Sequence, residues 1–226
     1  MIKKVSRFIC SQEQMVFYDY LYDNFTYKEE VRKEFVFRPL ASGDYEEFSS
    51  FLALQRDSEP IFKPSFDLKE AMERLNNGEI CHICENMGRI VGYSWFTKTE
   101  KHIPEIGVTV SPGPHGLYLY NSYVSKSNRR KNVLGGNIST PGKNFLRDGF
   151  SRVITCVMVW NKPSRAAVQK LNFKIAGRVT VGYVLTFRYM INTCRHITFL
   201  NNAGPFEFYT KLWNKLRNGS IQPKDK

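Results

Sequence analysis

The sequence predicts an α+β domain, a β-sheet with helices packed on it, and three observations predict it. Apolar runs at strand spacing interleave with runs at helical spacing. The connections between them are short, as βα and αβ joins are in compact domains. The chain has 226 residues, 42% apolar and 24% charged, which is the composition of a folded chain with a buried core.

The elements follow in order. Residues 7–20 give two short apolar runs around the polar centre Ser11 to Gln14, which reads as a β-hairpin. Glu34 to Arg38 is a short strand ended by Pro39. Ser42 or Asp44 caps a helix that carries Tyr45, Phe48, Phe51 and Leu52 on one face. A second helix starts after Phe66 or Asp67, runs through Leu68, Ala71, Met72 and Leu75, and ends at Asn76 to Gly78. Glu79–Met87 and Arg89–Thr97 are strands joined at Gly88. Lys98–Gly116 reads as irregular, with a short strand at Ile106–Val110. Leu117–Val124 is a tyrosine-rich strand, followed by a basic turn and a helix that ends near Gly149. Pro141 and Gly142 fall inside that helix and predict a kink or break. Arg152–Trp160 is a strand, Pro163–Leu171 a helix and Gly177–Met190 one long final strand. The organisation expected is an extension at 1–33, a main domain at 34–190 and a tail at 191–226. In the tail, residues 205–217 place Phe206, Tyr209, Leu212, Trp213 and Leu216 at helical spacing among lysines and arginine, an amphipathic pattern suited to docking on the domain or to peripheral membrane contact.

Charge and cysteines narrow the chemistry. The net charge is +12, from 33 basic and 21 acidic residues. Such an excess draws anionic partners: nucleotide-bearing small molecules, nucleic acid or a membrane surface. No recognisable RNA-binding motif accompanies it. No apolar run reaches the ~20 residues of a membrane-spanning helix, and no secretory pattern follows Met1, so a cytoplasmic protein is expected. The five cysteines include a CxxC at Cys81 and Cys84, but no second pair exists. On a strand, positions three apart face opposite ways. No metal site is expected.

Two segments carry chemistry. In the first, the strand ending at Val124 runs into Arg129, Arg130, Lys131, Asn132, Val133, Leu134, Gly135 and Gly136. A basic, small-residue turn between strand and helix offers backbone N–H groups and cations to phosphate oxygens. In the second, Asn161 ends a strand, Ser164 opens a helix, and Leu171 and Phe173 close it against the sheet.

Together these segments resemble the GCN5-related N-acetyltransferase (GNAT) superfamily. The first is similar to its V-x-P-x-x-R-G-K-G-I-G turn, with Val124, Arg129, Arg130, Lys131 and Val133 in register. The second is similar to N-x-x-A/S-x-x-x-Y-E-K-L-G-F, through Asn161, Ser164, Lys170, Leu171 and Phe173. The resemblance covers about residues 35–190. It implies a mixed, mostly antiparallel central sheet flanked by helices, with the hairpin and tail as additions. Asn132 and Leu134 stand where the family usually has glycine, and Asn172 replaces the glycine before Phe173. Val168 stands where a family tyrosine often protonates the leaving thiolate.

The resemblance implies direct acyl transfer from acetyl-CoA or another acyl-CoA to an amine. The strand 117–124 would splay from the strand 152–160. The CoA-binding set would be Tyr123, Val124, Arg129, Arg130, Lys131, Asn132, Val133, Leu134, Gly135, Gly136, Asn161 and Ser164. Backbone N–H groups near Tyr123 and Val124 would polarise the thioester. Tyr120, Tyr123 or Tyr183 could replace the missing acid, and Glu105 or His115 could serve as base. The charge suggests an anionic acceptor, such as a nucleotide-linked amino sugar, and the overall texture is similar to the branch associated with cell-surface polysaccharide synthesis. Two other readings fit the same residues: a CoA-binding or regulatory module that has lost catalysis, and an acetyltransferase acting on RNA or a ribosomal protein. A homodimer is left open.

Overall fold

The computed structural model describes residues 10–22, 34–60, 64–184 and 187–200. Residues 205–217, the expected amphipathic tail, and 7–9 of the expected hairpin lie outside the described residues. In chain order the elements are β1 (Cys10–Leu21), β2 (Phe35–Pro39), α1 (Tyr45–Ser58), α2 (Leu68–Asn76), β3 (Ile80–Asn86), β4 (Arg89–Thr97), β5 (Lys101–Ile103), β6 (Val108–Ser111), β7 (Gly116–Val124), α3 (Val133–Ser139), α4 (Gly142–Arg147), β8 (Arg152–Met158), α5 (Lys162–Lys170), β9 (Lys174–Val184), β10 (Phe187–Asn192) and β11 (Thr198–Leu200). This is a mixed α+β fold in which the strand pairs within each of its two units are antiparallel except β7 with β8. Among the described residues no helix is long and apolar enough to cross a membrane.

By contacts the chain forms two compact units. Unit one gathers the described residues through Asp19, Glu100–Ser111 and those from Cys156 onward; unit two gathers the described residues of Tyr20–Thr99 and Pro112–Thr155.

Unit two carries the sheet order β8-β7-β4-β3-β2. Its β3–β4 hairpin turns at Met87 and Gly88, both at positive φ (50° and 71°), the two-residue turn that matches strand twist. The amphipathic helices α1 and α2 bury one face each. Phe48, Phe51 and Leu52 of α1 pack with Phe66, Ala71, Ile83, Tyr93 and Trp95 into one core cluster. Met72, expected on the buried face of α2, is 40% exposed, because the helix turns Ala71 and Arg74 inward instead. Asp67 caps α2, its carboxylate accepting from the Glu70 N–H at 2.9 Å. A second cluster, Phe35, Cys84, Val91 and Val133, with Phe37 and Val124 against it, seats α3. Cys81 belongs to the first cluster and Cys84 to the second, so the CxxC is divided between two cores. The expected break at Pro141 is present: α3 ends at Ser139 and α4 begins at Gly142.

Unit one differs from the sequence expectation in three places. Residues 10–21 are one continuous strand, not a hairpin, and it pairs antiparallel with β9 from Cys10↔Val184 to Asp19↔Lys174. The polar residues Ser11 to Gln14 lie within that ladder, since a strand pairs through its backbone whatever its side chains. The single final strand expected at Gly177–Met190 is instead the antiparallel pair β9 and β10, closing from Val184 to Phe187. No glycine or asparagine marks that reversal in the sequence. Residues 98–116 also hold more order than expected, with β5 and β6 paired antiparallel and β11 added beside β6.

Candidate functional site

The candidate site grows out of β7. Its parallel ladder with β8 runs from Gly116↔Arg152 to Leu119↔Thr155 and ends there. On its other edge the ladder with β4 pairs Tyr93↔Tyr123 and Trp95↔Tyr120, leaving Ser94 opposite two residues, Asn121 and Ser122. That is a β-bulge, and Asn121 sits in it at φ 42°. A bulge leaves backbone groups out of the ladder and re-aims the neighbouring chain. The bulge therefore begins where β7 has just lost its partner on the β8 side.

Beyond Val124 the chain forms the basic loop. A 3-10 turn at Lys126–Asn128 is followed by Arg129 in extended conformation (φ −69°, ψ 157°). Arg130 (φ 63°) and Asn132 (φ 67°) are both left-handed, with Lys131 between them. Alternating backbone handedness points successive N–H groups into one concavity, the anion-binding nest. The Asn132 Nδ2 is buried and without a hydrogen-bond partner among the described residues. Asn128, 8% exposed, ties the loop together. Its Nδ2 donates to Ser125 Oγ at 3.0 Å, and its Oδ1 accepts from Asn86 Nδ2 at 3.3 Å and Lys131 Nζ at 3.4 Å. The helix that follows spans only 7 residues, so anion binding rests on the loop rather than on a long helix dipole. No acidic residue occurs between Glu105 and Asp148, so the loop's own segment supplies no carboxylate to compete for its cations.

One acid does reach it from elsewhere in unit two. Glu59, at the C-cap of α1, accepts from Tyr123 Oη at 2.7 Å and forms an ion pair with Arg129. Arg129 Nε donates to Val124 O at 3.0 Å, and its guanidinium lies 5.6 Å from the Tyr123 ring centroid. Burial alone pushes the Glu59 carboxyl up; the bonds from Arg129 and then Tyr123 outweigh it and hold it below the usual range. Burial, and then the Glu59 hydrogen bond, push Tyr123 up to about 12. A phenol held that weakly acidic is a poor proton donor to a thiolate near pKa ~8.5. The structure thus uses Tyr123 and Arg129 as ties between β7 and the end of α1, leaving Lys126, Arg130 and Lys131 as the loop's cations outside an ion pair among the salt bridges seen. An open cavity of about 460 Å³ lies at the start of the loop, lined in part by Phe51, Leu54, Tyr123 and Lys126. Its volume is in the small-molecule range of about 300–1,000 Å³.

The bulge has its own support. Arg74 of α2, 7% exposed, donates from Nη1 to Asn121 Oδ1 at 3.1 Å. Its Nε and Nη2 both reach Glu70 Oε1, at 3.1 and 2.7 Å. The guanidinium carbon lies 4.3 Å from the Phe66 ring centroid and 5.2 Å from those of Trp95 and Tyr120. Tyr120 in turn stacks on Tyr118.

The remaining expected residues are placed elsewhere. His115 is exposed at the start of β7, its Nδ1 3.1 Å from Gly149 O. Eight residues separate it from Tyr123, roughly 26 Å of strand at ~3.3 Å each, so it does not join the loop. Glu105 is exposed on the β5–β6 turn of unit one. Asn161 and Ser164 are also in unit one, where Asn161 Oδ1 accepts the Ser164 N–H at 3.2 Å and caps α5. The helix therefore starts at Lys162, before Pro163. Val168 is a buried apolar residue of α5, and Asn172 is left-handed at φ 64°. The side chain of Tyr183 lies outside the described residues.

Sequence reasoning missed Glu59, Arg74, Asn121 and Asn128. Asn121 had a signal: a polar Asn-Ser step interrupts an otherwise apolar strand, a mark of a bulge. Arg74 had a weaker one, three residues after the inward Ala71. Glu59 had none, because its partners are 64 and 70 residues away.

No family model matches the sequence, and no curated protein matches it. Among solved structures, a conserved protein of unknown function from Staphylococcus epidermidis is similar over 81% of this chain and 66% of its own, with a TM-score of 0.50 and 8% identity. A putative acetyltransferase of the GNAT family from Novosphingobium aromaticivorans is similar over 76% of this chain and 63% of its own, with a TM-score of 0.49 and 10% identity. An aminoglycoside acetyltransferase from an uncultured soil metagenomic sample is similar over 63% of this chain and 90% of its own, with a TM-score of 0.48 and 16% identity. The chain thus spans just under two thirds of the length of the first two proteins, and the likeness to the first is one of fold.

Proposed function

We propose that this protein is an acyl-CoA-dependent N-acyltransferase of the GNAT kind. One observation carries the reading. The left-handed residues Arg130 and Asn132 fall on the first two of the three positions where the motif these residues resemble has glycine, and Leu134, on the third, already lies within α3. Left-handed backbone is costly for most L-residues, and asparagine tolerates it best. The loop therefore keeps a left-handed backbone at the first two of these positions without glycine. Asn172, where the second motif has glycine, is left-handed as well.

Acyl-CoA would supply the thioester whose acyl carbon forms a C–N bond to the acceptor amine as its C–S bond breaks, the amine's proton ending on the thiolate or on water. The nest at 129–132 would hold the diphosphate, and the charges of Arg130 and Lys131 would draw it in. Unladdered N–H groups of the β7 bulge would polarise the carbonyl, a contribution of order 10²–10³-fold for each donor. Glu59 is a poor base, being committed to Arg129 and Tyr123 and held ionised. The amine would reach the site already neutral or lose its proton to water, and much of the rate would come from holding the two reactants together. The acceptor we propose is a small amine that also carries negative charge, matched to the +12 net charge; a nucleotide-linked amino sugar is one such molecule.

Isothermal titration with acetyl-CoA, then thiol release against a panel of amines, tests this. Micromolar binding with amine-dependent thiol release is expected. Asn132→Gly should bind as tightly as the parent, and Asn132→Val should lose at least tenfold, since a β-branched residue resists positive φ. Failure of the parent protein to bind acetyl-CoA would overturn the reading. Binding without turnover on any amine would favour a CoA-binding module without catalysis, a reading supported by Val168 and by the Tyr123–Glu59 hydrogen bond.

A further inference from the structure

A cation buried as deeply as Arg74 is expensive unless its charge and all its N–H groups are matched. Here the match is partial. Its carboxylate partner Glu70 is 47% exposed, and the rest of its surroundings are the rings of Phe66, Trp95 and Tyr120. An apolar residue would fill this place at less cost. What the guanidinium adds is a rigid fork whose third N–H bond ends on Asn121, the residue at φ 42° in the bulge. Asn121 is gripped from the other side as well, its Nδ2 donating to Ser65 Oγ at 3.3 Å. Its side chain is thus fixed at both ends while its backbone lies outside the ladder.

We propose that Arg74 is a positioning residue for acyl transfer, clamping Asn121 so that the N–H groups of the β7 bulge stay aimed at the thioester carbonyl. The proposal rests on the acyltransferase reading for its consequence and on the geometry above for the clamp. Arg74 touches no reacting atom. It acts by removing the freedom that a bulge with no neighbour on the β8 side would otherwise have.

Two measurements test it on the full-length protein. In the first, amide hydrogen exchange compares the parent with Arg74→Met and Asn121→Gly. Exchange at Asn121, Ser122 and Tyr123 should rise at least tenfold in both variants, while Leu117 to Leu119, held by the β8 ladder, should not change. Glycine keeps the left-handed backbone available, so Asn121→Gly isolates the loss of grip from backbone strain. Should Arg74→Met fail to fold, Asn121→Gly still decides the matter. Unchanged exchange at the bulge would overturn the clamp whatever the enzyme does.

In the second, thiol release and titration separate kcat from binding. Both variants should lose on the order of 10²-fold in kcat, with acetyl-CoA affinity altered less than threefold. Asn121→Asp, which keeps an acceptor for the Arg74 fork, should recover at least a tenth of the parent rate. The double variant Arg74→Met/Asn121→Gly should be no slower than the worse single one, because both remove the same constraint. Additive losses, or a fall in affinity as large as the fall in kcat, would overturn the positioning role. Absence of acetyl-CoA binding in the parent would overturn the acyltransferase reading instead, and the exchange result would stand apart from it.

Discussion

Glu59 shows how one side chain sets the chemistry of its neighbours. It neutralises Arg129, the motif's first arginine, and adds its hydrogen bond to the burial that lifts the Tyr123 hydroxyl out of the range useful for acid catalysis. Its own carboxyl is held below the usual value in the folded protein. A group with a lowered folded pKa contributes stability that is present above its unfolded value and lost as pH falls through the folded one. Glu59→Gln should therefore lower the melting temperature at pH 7, by about 2–4 °C for each ~1 kcal/mol removed in a chain of this size. The gap between parent and variant should close below about pH 4. Melting curves from pH 3 to 8 check this, and a gap that persists at pH 3 would show that shape rather than charge matters at Glu59. The sequence made the loop cations legible because they are contiguous. It hid the acid that answers Arg129, because that pairing exists only once α1 and β7 have packed.

At the scale of elements, legibility follows the range of the signal. Helices α1 and α2, the β3–β4 hairpin and the break at Pro141 were all readable, since spacing, capping and turn chemistry are local. The β9–β10 pairing was not, because no glycine, asparagine or proline stands between Val184 and Phe187 in the sequence. The bulge in β7 left only the polar Asn121-Ser122 step as a trace, because a bulge is defined by the partner strand. Gly136 illustrates a close approach that sequence alone does not reveal. A Cβ on it would lie 2.2 Å from the Phe37 ring, so α3 meets β2 only through a bare backbone. Two effects oppose each other in Gly136→Ala. Helix propensity favours alanine by ~1 kcal/mol, and overpacking costs about 1–3 kcal/mol. At 2.2 Å the clash wins, and a net loss of up to about 2 kcal/mol in denaturant unfolding is expected. In a Phe37→Ala background the same change should become neutral or stabilising, by up to ~1 kcal/mol. A loss of equal size in both backgrounds would place the constraint elsewhere.

At the scale of the whole molecule, the charge of +12 must be reconciled with a site whose anion binding we assign to backbone geometry. The two terms respond differently to salt. Long-range attraction fades as the screening length drops from ~10 Å at 0.1 M to ~3 Å at 1 M. Hydrogen bonds from a preformed nest act at contact and fade much less. Acetyl-CoA affinity should therefore fall, but only by about tenfold, between 0.1 and 1 M salt, leaving a residue of binding that salt does not remove. Arg130→Gly separates the terms, since it deletes one exposed cation while permitting the left-handed backbone. It should weaken binding at 0.1 M by a few-fold and be indistinguishable from the parent at 1 M. Titrations at both salt concentrations decide between the terms. If Arg130→Gly remains weaker at 1 M, the guanidinium contacts phosphate directly. If the parent loses all binding at 1 M, the nest contributes little, and the left-handed residues are a consequence of how the chain turns from β7 into α3.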